Sequence, residues 1–142
     1  MAGASFHIDL EDAALRQLLQ QLQANAVDMS DVFADIGGDM LRATQTRYKD
    51  QIAPDGSAWQ DIKDETKARK VRDEILIDSG DMLGDYHYEA SAEALIFGNA
   101  SIQAATHQFG DEDRNIEARP HLGMSAEDII NTRDTLVQYL LK

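Results

Sequence analysis

Apolar side chains return at helical spacing near both ends of this chain, and the stretch between is cut by turn-forming residues into short pieces. Leu15, Leu18, Leu19, Leu22 and Ala26 stand at offsets 0, 3, 4, 7 and 11, while Gln17, Gln20, Gln21 and Gln23 fall off that stripe. A 3.6-residue period of this kind predicts a helix from Asp9 to about Ala26. Asp9 or Asp12 would cap it, where a carboxylate also suits the positive end of the helix dipole. A second stripe, Phe33, Ile36, Met40, Thr44 and Tyr48, runs toward Ile52 behind a Ser30-Asp31 cap. Gly37 and Gly38 lie inside it, each costing about 1 kcal/mol against alanine. They mark either close packing against another element or a break. A last helix follows Ser125-Ala126-Glu127-Asp128, a capping-box start, and is lined by Ile129, Ile130, Leu136, Val137, Leu140 and Leu141.

Between the helices, Pro54-Asp55-Gly56 is a strong turn signal, because proline presets φ, aspartate bonds locally and glycine tolerates the backbone that a reversal needs. Trp59 comes directly after it, and a large indole beside a tight turn is expected to anchor the loop on the core, with an exposed contact as the other reading. Lys63 to Arg72 reads as an exposed helix or a mobile loop. Ile75-Leu76-Ile77 is a short apolar run, and Asp78 to Leu83 looks like a cap opening one helical turn. Tyr86 to Ser91 and Ala94 to Phe97 suit a hairpin, ended by Gly98-Asn99. Gln103 to Gln108 fits a short helix, and Phe109-Gly110 leads into an exposed acidic loop at Asp111-Glu112-Asp113. The expected fold is α+β, with two N-terminal helices and a C-terminal helix packed on a small antiparallel sheet. The chain has 142 residues, a length that suits one domain over 1–142.

Charge narrows the function. The formal net charge is −13, and it is unevenly placed. Arg42 to Arg72 carries a net +3, and Asp73 to Glu117 a net −10. An acidic surface of that kind repels phosphate backbones over about 10 Å at ordinary salt, so sequence-specific nucleic-acid binding is disfavoured. The basic segment suits an acidic partner or the acidic half of a neighbouring copy. No apolar run approaches the ~20 residues that cross a bilayer, and the N-terminus has neither a basic nor a cleavable apolar stretch. With no cysteine there is no disulfide, thiol nucleophile or zinc knuckle.

Little in the chain points to catalysis, and no catalytic, cofactor-binding or metal site is assigned. His7, His87, His107 and His121 are too far apart for a local metal motif; each is expected to be a satisfied or surface histidine. Asp78-Ser79-Gly80 lacks the Gly-x-Ser-x-Gly elbow and reads as a helix cap. No phosphate-cradling glycine loop is present. Paired carboxylates are abundant, but acid-base roles need a pocket that separates their pKa values.

Taken in order, several punctuation marks carry a resemblance: Pro54-Asp55-Gly56-x-x-Trp59, then Thr66 and Lys70, Ile75-Leu76 with Ser79-Gly80-x-Met82-Leu83, His107-Gln108-Phe109-Gly110, and Ala118-Arg119-Pro120-x-Leu122-Gly123-x-Ser125. Together they resemble the virion morphogenesis or tail completion proteins of Mu-like and related contractile-tailed phages. The resemblance covers roughly residues 30–142, leaving 1–29 as a helical N-terminal extension. It departs from the family at His121, where an aromatic usually follows Arg-Pro, and at Ala105-Thr106, where a Tyr-Ala pair usually precedes His-Gln. Trp59, Gly80, Leu83, His107, Gln108, Phe109, Gly110, Arg119 and Pro120 are the candidate assembly or motif residues. Gly80 permits a close turn, and Gly110 ends a helix with positive φ. Phe109 is expected as a core plug, with a subunit contact as the other reading. Pro120 pushes Arg119 into an extended conformation, and an arginine among acids is expected to bridge carboxylates, here of its own subunit.

What the resemblance implies is a structural part of the virion, assembled in the bacterial host cytoplasm. It would complete the tail or neck and enable head-tail joining as a homo-oligomeric ring, a hexamer matching a sixfold tail. Partners would be tail tube and neck or head-connector proteins, without membrane or sequence-specific nucleic acid. The acidic segment would line the lumen and repel passing DNA. The competing reading is an acidic binding module or regulator that holds a basic protein; an enzyme with a carboxylate site stands behind both.

Overall fold

A computed structural model describes residues 13–142, so the expected caps Asp9 and Asp12 lie outside the described residues. Six helices and one two-stranded sheet follow in the order α1 (Ala13–Asn25), α2 (Ser30–Asp50), α3 (Asp64–Arg69), α4 (Asp81–Gly84), β1 (Tyr86–Ala90), β2 (Leu95–Asn99), α5 (Gln103–Phe109) and α6 (Ala126–Leu140). The α+β arrangement is the one the periodicity implies.

Helix α2 is the organising element. Val32, Ile36 and Met40 are buried along one face, where they meet Leu95 and Phe97 of β2 and Leu136 and Tyr139 of α6. Further along, Tyr48 enters a second cluster with Ala53, Trp59, Ile75, Met82, Tyr86 and Ala104. Phe97 packs on both clusters and joins them. The glycine pair does not break the helix. A Cβ at Gly37 would run into the Tyr88 ring, whereas one at Gly38 would meet only an Arg42 nitrogen at 3.6 Å. Gly37 is therefore the place where β1 lies directly on α2, and close packing is the correct reading. The cap differs from expectation: Ser30 is already helical, and its N–H is received by the Asp28 carboxylate at 2.9 Å.

The hairpin pairs Tyr86 with Asn99 through Ala90 with Leu95, so β2 continues through Gly98 and Asn99 instead of ending before them. The Asn99 side-chain amide donates to the Met82 carbonyl at 2.7 Å, fastening α4 to the hairpin. At the expected turn, Gly56 N–H donates to Ala53 at 2.9 Å, and the Asp55 carboxylate accepts from the Ser57 N–H at 2.9 Å.

Ser125 caps α6 reciprocally with Asp128, as the sequence predicts. Asp128 also receives Arg47 of α2 at 2.7 Å, and Arg47 reaches the Gly123 carbonyl at 3.0 Å. One carboxylate thus closes the cap and pins α6 to α2. Burial works to raise its pKa, but the Ser125 N–H and Arg47 outweigh it and hold it below the usual carboxylate value. The terminal helices are less covered than their stripes suggest. Leu15, Leu18 and Leu19 of α1 and Ile129, Ile130 and Val137 of α6 stay exposed, although α1 lies against α6 and the Asn25 amide donates to Leu140 at 3.0 Å.

Candidate functional site

Trp59, His107, Gln108 and Gly110 converge on one segment, 118–123, which carries Arg119 and Pro120. The Trp59 indole N–H donates to the Pro120 carbonyl at 2.7 Å, and its ring lies edge-on to Tyr48 with centroids 5.1 Å apart. It is the anchor that its position after the turn predicts. On the other flank, the Gln108 side-chain oxygen receives the N–H groups of both His121 and Leu122 at 2.9 Å, and its amide donates to Leu122 at 3.3 Å. A glutamine so placed completes backbone pairing for a segment that belongs to no sheet. His107 adds its carbonyl, which accepts the Arg119 N–H at 2.6 Å.

Arg119 is buried, but it does not bridge carboxylates. Its guanidinium donates to the backbone carbonyls of Gln60 at 2.7 Å and Asp61 at 2.9 Å. The expectation fails because a planar fork at this depth meets main chain first; the acids near it, Glu117 and Asp61, act only through their charge. Burial lowers the Arg119 pKa and those two carboxylates oppose the shift. Pro120, by holding Arg119 extended, keeps that fork aimed at the loop after Trp59.

His121 follows in the same segment and ends a buried polar chain. Its Nε2 lies 2.8 Å from the Ala104 carbonyl, which can only accept, so Nε2 carries the proton. Nδ1 is then the acceptor, and the Tyr86 hydroxyl donates to it. Tyr86 in turn accepts from Tyr48 at 3.0 Å. Burial lowers the His121 pKa, with the Ala104 carbonyl acting the other way, and pushes that of Tyr86 up to about 12. His121 is a satisfied core histidine. That is one of the two readings the sequence allows it; the partners, Tyr86 and Ala104, are distant in sequence and were not legible.

Gly110 has φ +76°, and a Cβ there would stand 2.9 Å from the backbone of Ile116 and Ala118. Only glycine lets the chain leave α5 and return against segment 118–123 so closely. Gly80 and Leu83 lie apart from this junction. Gly80 takes φ +91° ahead of α4, where the Ser79 hydroxyl receives the Asp81 N–H at 3.3 Å, and Leu83 packs on the core. Phe109 is turned away: it is 80% exposed and is not a core plug. The reason is helix geometry: Ala104, His107 and Gln108 share the inward face of α5, and at about 100° per residue Phe109 stands about 140° from Ala104.

The motif that sequence order suggested is therefore a structural junction carrying an outward phenylalanine. A model of the phage virion morphogenesis family matches residues 10–141. The chain belongs to that family. No curated protein and no solved structure matches the chain. The family span begins at residue 10, not near Ser30, and so takes in α1. Membership gives the chain a structural role in building the phage particle. Among the described residues, no helix is long and apolar enough to cross a membrane, and no group of three or more histidines or carboxylates is placed to hold a metal ion. A groove of about 760 Å³ between α2 and α6 is lined by Asp39, Asp50, Glu127, Asp128 and Asp134; Asp128 there is already engaged by Arg47 and the cap.

Proposed function

We propose that this protein completes the phage tail or neck and enables head-tail joining, acting as a ring of copies of the chain. The family match over residues 10–141 carries the reading. Exposed apolar side chains on α5 support it, since an assembly subunit needs sticky surface that its own core does not use. Contacts between unlike surfaces close into a ring when the rotation allows, and a hexamer would match a sixfold tail. Tail tube and neck or head-connector proteins are the partners in this reading, met in the bacterial host cytoplasm, and those acids between Asp73 and Glu117 that no neighbouring copy engages face the lumen. The basic half enters with one charge fewer at its surface, because Arg47 is buried against Asp128.

The exposed acids Glu112 and Asp113 favour a second reading, a module that holds a basic protein. It would leave the chain monomeric and without affinity for tail or neck proteins. Electron microscopy of particles made with and without the gene separates these: abnormal tail ends or unjoined heads support completion, and normal virions defeat it.

A further inference from the structure

Among the described residues, the three most exposed large apolar side chains are Ile102 at 95%, Val71 at 94% and Phe109 at 80%. Two of them share one helix face. Ile102 already has helical φ and ψ at the start of α5, and Ile102, Ala105 and Phe109 fall at offsets 0, 3 and 7, within about 60° of arc on a helix of 3.6 residues per turn. All three are exposed, while Ala104, His107 and Gln108 turn toward the core. The helix thus carries an apolar stripe outward while two of its polar side chains, His107 and Gln108, turn inward. The inward Gln108 is explained by the backbone of His121 and Leu122 that it serves, whereas the inward His107 ring leaves its Nδ1 without a hydrogen-bond partner among the described residues. Nothing among the described residues explains the outward stripe.

Charge says what fits it. Directly beyond Phe109 the chain exposes Glu112 and Asp113, which have no ion-pair partner among the described residues, whereas Asp111 is taken by Arg114 at 2.6 Å. The stripe therefore ends in an uncompensated acidic rim. The third apolar tip, Val71, has the opposite frame. Arg69 and Arg72 beside it are exposed and without ion-pair partners among the described residues, while Lys67 is held by Asp61 at 2.7 Å and Lys70 donates to the Glu74 carbonyl at 2.5 Å.

We infer that the outward face of α5 is a docking surface for a second copy of this chain, which seats Val71 against Ile102 and Phe109 and sets Arg69 and Arg72 on Glu112 and Asp113. The inference rests on the reading that copies of the chain assemble with one another, and it names the surfaces by which they do. An apolar centre desolvated inside a charged rim is the arrangement in which a few residues carry most of the affinity.

Sedimentation velocity of the full chain at moderate salt tests it. Wild-type protein is expected to associate, and Phe109→Ser to weaken association at least tenfold. Reversing the rim (Glu112→Lys with Asp113→Lys) or the tip (Arg69→Glu with Arg72→Glu) is expected to leave each variant monomeric. Mixing the two reversed proteins is expected to restore association, because every contact in the mixture again joins opposite charges. Restoration cannot come from damaged folding. Wild-type protein that stays monomeric overturns both the inference and self-assembly; association that survives Phe109→Ser, or reversed proteins that stay apart when mixed, overturns the inference alone.

Discussion

Trp59 holds Pro120 by a single hydrogen bond, its indole N–H to the proline carbonyl at 2.7 Å, and so joins the turn after α2 to the segment before α6. That bond is part-buried, and Trp59→Phe would keep most of the ring packing while leaving the Pro120 carbonyl without its donor. The expected loss is about 0.5–1.5 kcal/mol in urea unfolding, the net contribution of one hydrogen bond. A neutral effect would mean that the indole only fills space.

The glycine pair in α2 separates two effects in neighbouring positions. Gly37→Ala drives a methyl into the Tyr88 ring and is expected to cost about 1–3 kcal/mol through overpacking. Gly38→Ala meets nothing closer than ordinary contact and should stabilise by up to about 1 kcal/mol through helix propensity. Thermal melts of the two variants are expected to move in opposite directions.

Acid should weaken the fold through His121. Its folded pKa lies below 6.5 because burial disfavours the cation, so the unfolded chain takes up the proton first as pH falls. The stabilisation is complete above about 6.5 and is lost as pH drops through the folded value. His107 is shifted the same way, by burial first and then by the charges of Arg119 and others, and adds to the slope. His121→Phe should lower stability by about 1–3 kcal/mol at pH 7.5, since Tyr86 loses its acceptor and Ala104 its donor. It should also flatten the pH dependence between 7 and 5. An undiminished slope in urea titrations would place the acid sensitivity elsewhere.

Arg47 and Asp128 form a pair with side chains 8% and 14% exposed. Removing either partner strands the other, at a cost of about 3–5 kcal/mol. The double variant Arg47→Met with Asp128→Asn should lose at least about 1 kcal/mol less than the two single losses together, because no charge is left stranded. Strict additivity in a double-mutant cycle would mean that the ion pair contributes nothing beyond each residue's other bonds.

What the sequence made legible was whatever local chemistry decides. The Pro54-Asp55-Gly56 turn, the Ser125 capping box and the hairpin each depend on neighbours a few residues apart, and each is found where the residue types place it. The gaps have one physical origin: partners distant in sequence. Periodicity grouped Leu15, Leu18 and Leu19 on a face but says nothing of whether that face is covered. Gly37 needed Tyr88 before its role was visible, and Arg119 was read by charge when its partners are the uncharged carbonyls of Gln60 and Asp61. Phe109 was read by hydrophobicity alone. Its direction is set by the face of α5 that Ala104, His107 and Gln108 turn inward, on which Gln108 bonds the backbone of His121 and Leu122.

In the assembly we propose, the motif divides its labour: Trp59, Gln108 and Arg119 hold the subunit together, and Phe109 would hold subunits to one another. Complementing a gene-deleted phage with Phe109→Ser tests that division most directly, with joined particles counted by electron microscopy and the purified variant melted beside wild type. The expected result is an unchanged melting temperature together with a loss of joined particles. A full yield of joined particles from a protein that carries serine at this position would contradict it.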